Sequence, residues 1–174
     1  FQLQEYYAEE KKLKMTFEVD SQHYMLDFDP EKITVIVSNL LGNAIKFTPA
    51  GGSVKMHMLV ENGMLNIIVS DTGIGIPPEK QDKIFDRFYQ ADDKNTRKVG
   101  GAGIGLALTR ELVALLNGTI EVNSVPGKVT VFKVKLPVTS ALHTKEFLLP
   151  EQETEDRELA EIHSAENKHA GKER

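Results

Sequence analysis

The chain has 174 residues, 40% of them apolar, and a formal charge of -5. It is long enough for one domain with a real core, and its lack of cysteine excludes disulfides, thiolate metal sites and cysteine nucleophiles. Eight acids and four bases lie past Pro150, so the rest is close to neutral, which argues against a nucleic-acid surface. No apolar run reaches membrane-spanning length and no signal peptide opens the sequence; it starts at Phe1 without a methionine and is expected to be a piece of a longer protein.

Residues 1–10 read as the end of a helix or a lead-in. Leu13 to Val19 alternates apolar and polar residues, the mark of a half-buried strand, and His23 to Phe28 reads as a second, weaker one. Asp29-Pro30 then opens a helix, an acid at the N-cap followed by proline at the first helical position. Ile33, Ile36, Val37, Leu40, Leu41, Ala44 and Ile45 recur at helical spacing and give it one wide apolar face. Asn39 and Asn43 stack on another side, with Lys46 one turn further along. Asparagine is a poor helix former and costly when buried without partners, so two of them need a reason. They fit either a satisfied polar rim or a row of amide oxygens and an ammonium facing a metal–phosphate group. The helix stops at Thr48-Pro49, Ala50-Gly51-Gly52 makes a turn, and strands 54–60 and 64–70 follow, joined at Asn62-Gly63, a strong hairpin signal.

The second of these strands runs into Asp71-Thr72-Gly73-Ile74-Gly75-Ile76-Pro77, either a plain glycine turn or a backbone bent sharply beside a ligand. Pro78-Glu79 starts a short helix through Ile84-Phe85, and Asp86-Arg87-Phe88-Tyr89 is an aromatic cluster carrying one cation. Residues 90–99 are polar and charged without periodicity and are expected to form a mobile loop. Gly100 to Gly105 closes it and feeds a helix over 106–116; free N–H groups and the helix dipole make such a junction a natural phosphate cradle. The glycine spacing is not that of a dinucleotide-binding turn, and the lysine–serine pair of a P-loop is missing. Asn117-Gly118 caps the helix, and strands 119–123 and 129–136 close the pattern around Pro126-Gly127. Residues 151–174 are acidic and aromatic-free, a solvated helix or disordered linker.

In sequence, Asn39-x-x-x-Asn43-Ala44-x-Lys46-Phe47, Asp71-x-Gly73-x-Gly75, Phe85-x-x-Phe88 and Gly101-x-Gly103-x-Gly105-Leu106 resemble the N, G1, F and G2 boxes of the sensor histidine kinase catalytic domain. That domain belongs to the GHKL superfamily, which also holds gyrase, Hsp90 and MutL. Each motif alone is weak; four in order over residues 13–137 are specific. The resemblance implies an α/β two-layer sandwich, a mixed sheet of about five strands covered on one face by three helices. It also implies ATP and Mg2+ as ligands. Asp71 would accept from the adenine amine, and Gly73, Gly75 and Ile76 would be among the ATP-binding residues. Asn43, helped by Asn39, would hold magnesium on the triphosphate, with Lys46 on phosphate charge and Phe47 among the ATP-binding residues. Residues 90–99 would be the ATP lid, and the amides from Gly101 through Gly103 and Ile104 to Gly105 would lie on the phosphates, with Leu106 among the ATP-binding residues.

Many histidine kinases carry arginine where Gln90 stands, which shifts γ-phosphate contact to Arg87, Arg97 or Lys98. Where the family often shows G-x-G-T this chain has Gly127-Lys128-Val129-Thr130, leaving Thr130 as the matching ligand residue in a turn that differs. Hydrolysing relatives carry a glutamate base at the position of Asn39; an amide takes no proton from water, so transfer to an external histidine is favoured over hydrolysis. His23, His57, His143, His163 and His169 all lack an acceptor motif. The implied partners are therefore dimerisation and histidine-phosphotransfer helices of the same parent protein, dimeric and compatible with a membrane anchor, with a receiver domain downstream and this domain cytoplasmic. On this reading residues 1–12 end the preceding helix or linker, 13–137 are the catalytic domain and 138–174 are an acidic linker or tail. The alternatives are an anti-sigma-type serine kinase with the same pocket, or a nucleotide-binding module without transfer activity.

Overall fold

The helix over 30–47 forms because its start, its stop and its apolar face agree. In the computed structural model it is α2, Pro30–Phe47, with the Asp29 carboxylate accepting from the Glu31 N–H (2.9 Å) and Pro30 in the first turn. Ile36, Val37, Leu40, Leu41, Ala44 and Ile45 of the predicted stripe are buried, and Ile33 at its start, only partly buried, packs on the same core. The structure describes residues 2–20, 29–90 and 102–138; the expected strand at 23–28, most of the 90–99 loop and the tail lie outside the described residues.

The sheet contains β1 (Lys14–Val19), β2 (Ser53–Glu61), β3 (Met64–Asp71), β4 (Thr119–Val125) and β5 (Val129–Pro137), in the order β1-β2-β3-β5-β4. β1 runs parallel to β2 and the other pairs are antiparallel, so the sheet is mixed and open, as the resemblance implied. Asn62 and Gly63 both take positive φ (52° and 71°), the backbone a tight hairpin needs, and this sets the β2–β3 register. That register puts Val54, Leu65, Ile67, Val69, Phe132, Val134 and Leu136 in one core with the apolar stripe of α2. The opposite face carries charged side chains, including the exposed pairs Lys55–Glu18 and Lys135–Glu121, which contribute little stability.

Three further helices complete the layer. α1 (Gln2–Glu10) buries Ala8 in the core and donates from Gln4 Nε2 to the Ser38 carbonyl (2.8 Å). α3 (Pro78–Gln81) leads into a 3-10 turn, Lys83–Phe85, that sets Phe85 edge-on to Phe132. α4 (Gly105–Leu115) ends as expected, with Asn117 at positive φ and the Gly118 N–H donating back to the Val113 carbonyl (2.9 Å). Among the described residues no helix is long and apolar enough to cross a membrane.

Candidate nucleotide-binding site

Asn39, Asn43 and Lys46 lie on successive turns of α2 and meet different surroundings. Asn39 Nδ2 donates to the Gly105 carbonyl (3.1 Å) and to Thr109 Oγ1 (3.2 Å). Thr109 is fully buried and its hydroxyl donates to the same carbonyl (2.9 Å). This triangle fixes the start of α4, and so the end of the glycine-rich segment, against the asparagine helix. Two oxygen acceptors on one side of the Asn39 amide set its orientation and leave Oδ1 as its remaining acceptor. Asn43 is half-buried and makes no side-chain hydrogen bond among the described residues. The Lys46 ammonium lies 4.8 Å over the Phe47 ring, has no acidic partner among the described residues, and burial pulls its pKa below the ordinary lysine value. The two side chains thus place an unbonded amide and a partly desolvated cation one turn apart on α2.

Asp71 ends β3 at 5% exposure, its Oδ1 accepting from the Gly73 N–H (2.8 Å). Burial pushes its carboxyl up to about 6, against the smaller opposing effect of the Gly73 bond. The strand register sets it beside Thr130 on β5, itself buried and 3.0 Å from Ser124 Oγ. A Cβ at position 73 would sit 2.5 Å from Asp71 Oδ1 and 2.7 Å from the Phe47 carbonyl, so only glycine lets the loop fold over the acid. Beyond it the loop is clamped from both sides. The Ile74 N–H donates to the Phe47 carbonyl (3.3 Å), and the Gly127 N–H donates to the Ile74 carbonyl (2.8 Å). The Ile76 N–H donates to Ser124 Oγ (2.8 Å), and Gln81 Nε2 donates to the Ile76 and Ser124 carbonyls (2.9 Å each).

At the other end, Gly103 has φ of +66°, and a Cβ there would crowd the Phe88 and Tyr89 backbone at 3.0 Å. The Phe88 N–H donates to the Gly103 carbonyl (2.9 Å), so the aromatic cluster is stapled to the glycine segment. Phe88 itself takes positive φ (64°) and is 72% exposed, an unusual state for a bulky residue. Ile104 is exposed and Leu106 packs on the core. Arg87 is engaged elsewhere: its Nη2 and Nε lie 2.6 and 3.1 Å from Glu111 Oε1 on α4. Arg97, Lys98 and Gly101 lie outside the described residues. Among the described residues no cluster of three or more His, Cys, Asp or Glu side chains could hold a metal ion.

Residues 28–140 match the family described as histidine kinase-, DNA gyrase B-, and HSP90-like ATPase. The chain belongs to this family. It is 42% identical over 123 residues to the sensor protein kinase WalK of Staphylococcus haemolyticus, which covers 69% of this chain and 20% of that relative. It is 43% identical over 114 residues to the sensor histidine kinase WalK of Bacillus subtilis, covering 64% of this chain and 19% of the relative. The chain thus spans about a fifth of the length of the curated relatives it matches. Among solved structures it is similar to full-length ShkA in complex with AMPPNP, at TM-score 0.72 and 30% identity over 83% of this chain and 29% of that one. It is also similar to the catalytic domain of the histidine kinase ThkA, at TM-score 0.68 and 25% identity over 79% of this chain and 86% of that one. The resemblance read from the four boxes and the fold it implied both hold for this GHKL member.

Within the GHKL frame, Thr109, Ser124 and Gln81 hold the site together and were not singled out from the sequence. Thr109 carried a signal, a hydroxyl on a largely apolar helix four residues after Gly105. Ser124 and Gln81 carried none, because their partners come from strand register and loop packing. Thr109→Val keeps the side-chain shape and removes a donor and an acceptor. It is expected to cost about 1–2 kcal/mol in urea unfolding, the scale of one to two net hydrogen bonds. An unchanged unfolding midpoint would mean that the triangle does not hold α4.

Proposed function

We propose that this chain carries the ATP-binding catalytic domain of a sensor histidine kinase and donates the γ-phosphoryl group of ATP to a histidine on separate dimerisation helices. The single observation that carries the reading is the polar face of α2. The Asn39 amide nitrogen is taken up in a structural tie, while among the described residues Asn43 makes no side-chain hydrogen bond and Lys46 has the Phe47 ring but no acidic partner. Asp71 would accept from the adenine amine through its free oxygen, beside Thr130 and the clamped 72–77 loop. Lys46 and the Gly103–Leu106 backbone would take the phosphate charge, and Asn43, helped by Asn39 Oδ1, would hold Mg2+. When bound, Mg2+ neutralises phosphate oxygens and draws charge toward the leaving group. In the reaction an imidazole nitrogen of the acceptor bonds to the γ-phosphorus as the bridging oxygen–phosphorus bond breaks, giving phosphohistidine and ADP. The chain's own part is to bind, orient and neutralise, which is most of what phosphoryl transfer requires of a protein. With Asn39 in place of a carboxylate base, water is a poor competitor.

Arg87, paired with Glu111, would reach a γ-phosphate only by leaving that pair, and Arg97 and Lys98 of the proposed lid are the other candidates. Residues 1–12 are proposed to continue from the dimerisation helices, 13–137 to be the catalytic unit, and 138–174 to link toward a receiver domain. The parent would be a dimeric, membrane-anchored sensor with this domain on the cytoplasmic side.

The test is incubation with γ-labelled ATP, alone and with separately made dimerisation helices. Alone, the chain is expected to bind Mg-ATP, hydrolyse it slowly and stay unlabelled. With the helices, acid-labile and base-stable label is expected on the added protein. Acid-stable label on a protein serine would instead favour the anti-sigma type of kinase, and binding with no transfer to any acceptor would favour a nucleotide-binding module.

A further inference from the structure

A helix leaves its last carbonyls without intrahelical donors, and α2 ends among the residues of the nucleotide site. Those carbonyls are served from outside the helix. Lys11 Nζ, at the corner between α1 and β1, donates to the carbonyls of Ile45 (2.8 Å), Lys46 (2.7 Å) and Thr48 (3.1 Å). Three donors meet three acceptors, so the ammonium is saturated without any carboxylate. Its charge also sits at the negative end of the α2 dipole.

Lys11 is itself held in place. Its carbonyl accepts from the Gly51 N–H (2.9 Å), and the Lys12 and Leu13 N–H groups close the end of α1 on Glu9 and Ala8 (2.9 Å each). Ala8 in the core and Gln4 on the Ser38 carbonyl fix α1 along α2. The turn that Lys11 grips presents the Lys46 side chain, and the Phe47 carbonyl within it receives the Ile74 N–H of the loop after Asp71. Loosening this turn would let the Lys46 ammonium leave its place over the Phe47 ring, from which it is proposed to meet phosphate.

We propose that Lys11 is a positioning residue for Lys46, holding the end of α2 so that the Lys46 ammonium is presented to nucleotide phosphate. This rests on the nucleotide reading of the site, and the test separates the two. Mg-ATP affinity is measured by calorimetry for the wild-type chain, Lys11→Met, Lys46→Ala and the double variant, with thermal unfolding of each. Lys11→Met and Lys46→Ala are each expected to bind roughly tenfold more weakly, the scale of one hydrogen bond or charge contact. The double variant is expected to bind no more weakly than Lys46→Ala, because a group acting through Lys46 has nothing left to position. Lys11→Arg, which keeps charge and donors, is expected to restore most of the affinity. Losses that add in the double variant, or wild-type affinity in Lys11→Met, would overturn the role while leaving the site intact. Wild-type affinity in Lys46→Ala, or no Mg-ATP binding by the unaltered chain, would instead overturn the site reading and this role with it. Should Lys11→Met fail to fold, Lys11→Gln carries the same cycle with the same expected non-additivity.

Discussion

Replacing Asp71 with asparagine is expected to weaken ATP binding by about 10- to 150-fold, the factor for losing 1.5–3 kcal/mol of a hydrogen bond to a charged acceptor. The same change is expected to make the ligand-free protein more stable at neutral pH. Both follow from one fact: Asp71 is a buried carboxylate with one oxygen on the Gly73 N–H. Asparagine keeps that bond through Oδ1 but turns an N–H donor toward the proposed adenine amine, itself a donor.

The stability effect has a defined sign. Burial raises the folded-state pKa of Asp71 from 3.8 to about 6. Between these values the folded protein holds a proton that the unfolded chain has lost, so stability falls as pH rises through this window. Above about pH 6 the penalty is complete, at most about 3 kcal/mol for a shift of this size. The Asp71→Asn variant carries no such penalty, because an amide does not ionise. Urea unfolding should therefore show wild type and variant nearly equal below pH 4, with the variant gaining as pH rises through the window and staying ahead above it. ATP affinity of the wild type relative to the variant should fall as pH drops below about 6, where the acceptor oxygen becomes protonated. A variant that binds ATP as tightly as the wild type would remove Asp71 from the adenine contact. One destabilised at pH 7.5 would mean that the carboxylate is compensated in the fold.

Asn43→Ala separates metal-linked from metal-free binding. Asn43 makes no side-chain hydrogen bond among the described residues, so its removal leaves no orphaned partner there. Alanine is also the better helix former, by up to about 0.7 kcal/mol. The fold should therefore be as stable or slightly more so. In the presence of Mg2+ the variant is expected to lose about 10- to 100-fold in ATP affinity, the scale on which metal affinity responds to disturbing a ligand set. With the metal chelated, wild type and variant should bind ATP nearly alike. The checks are calorimetric titrations with and without Mg2+ and a thermal unfolding curve for each protein. Equal losses in both titrations would make Asn43 a direct nucleotide or packing residue rather than a metal ligand.

The sequence by itself determined the elements whose information is local. Asp29-Pro30 and Thr48-Pro49 bounded α2, the three- and four-residue spacing from Ile33 to Ile45 chose its buried side, and Asn62-Gly63 set the β2–β3 hairpin. Each depends on backbone preferences and periodicity within a few residues. The family was legible for a related reason: its four boxes are short runs whose residue types serve one ligand, so their order alone carries the resemblance. What only the tertiary structure decided concerns groups far apart in the chain. The two asparagines are chemically identical in sequence, yet Asn39 ties α2 to Gly105 and Thr109 while Asn43 stays unbonded among the described residues, because only one of them faces the start of α4. Arg87 looked available for phosphate until the packing of its loop against α4 gave it Glu111. Nothing in the sequence singled out Lys11, and chain reversal at its corner put the ammonium under the carbonyls of Ile45, Lys46 and Thr48. Partners 24 to 70 residues away leave no local pattern, since which polar group meets which is set by how helices and strands pack.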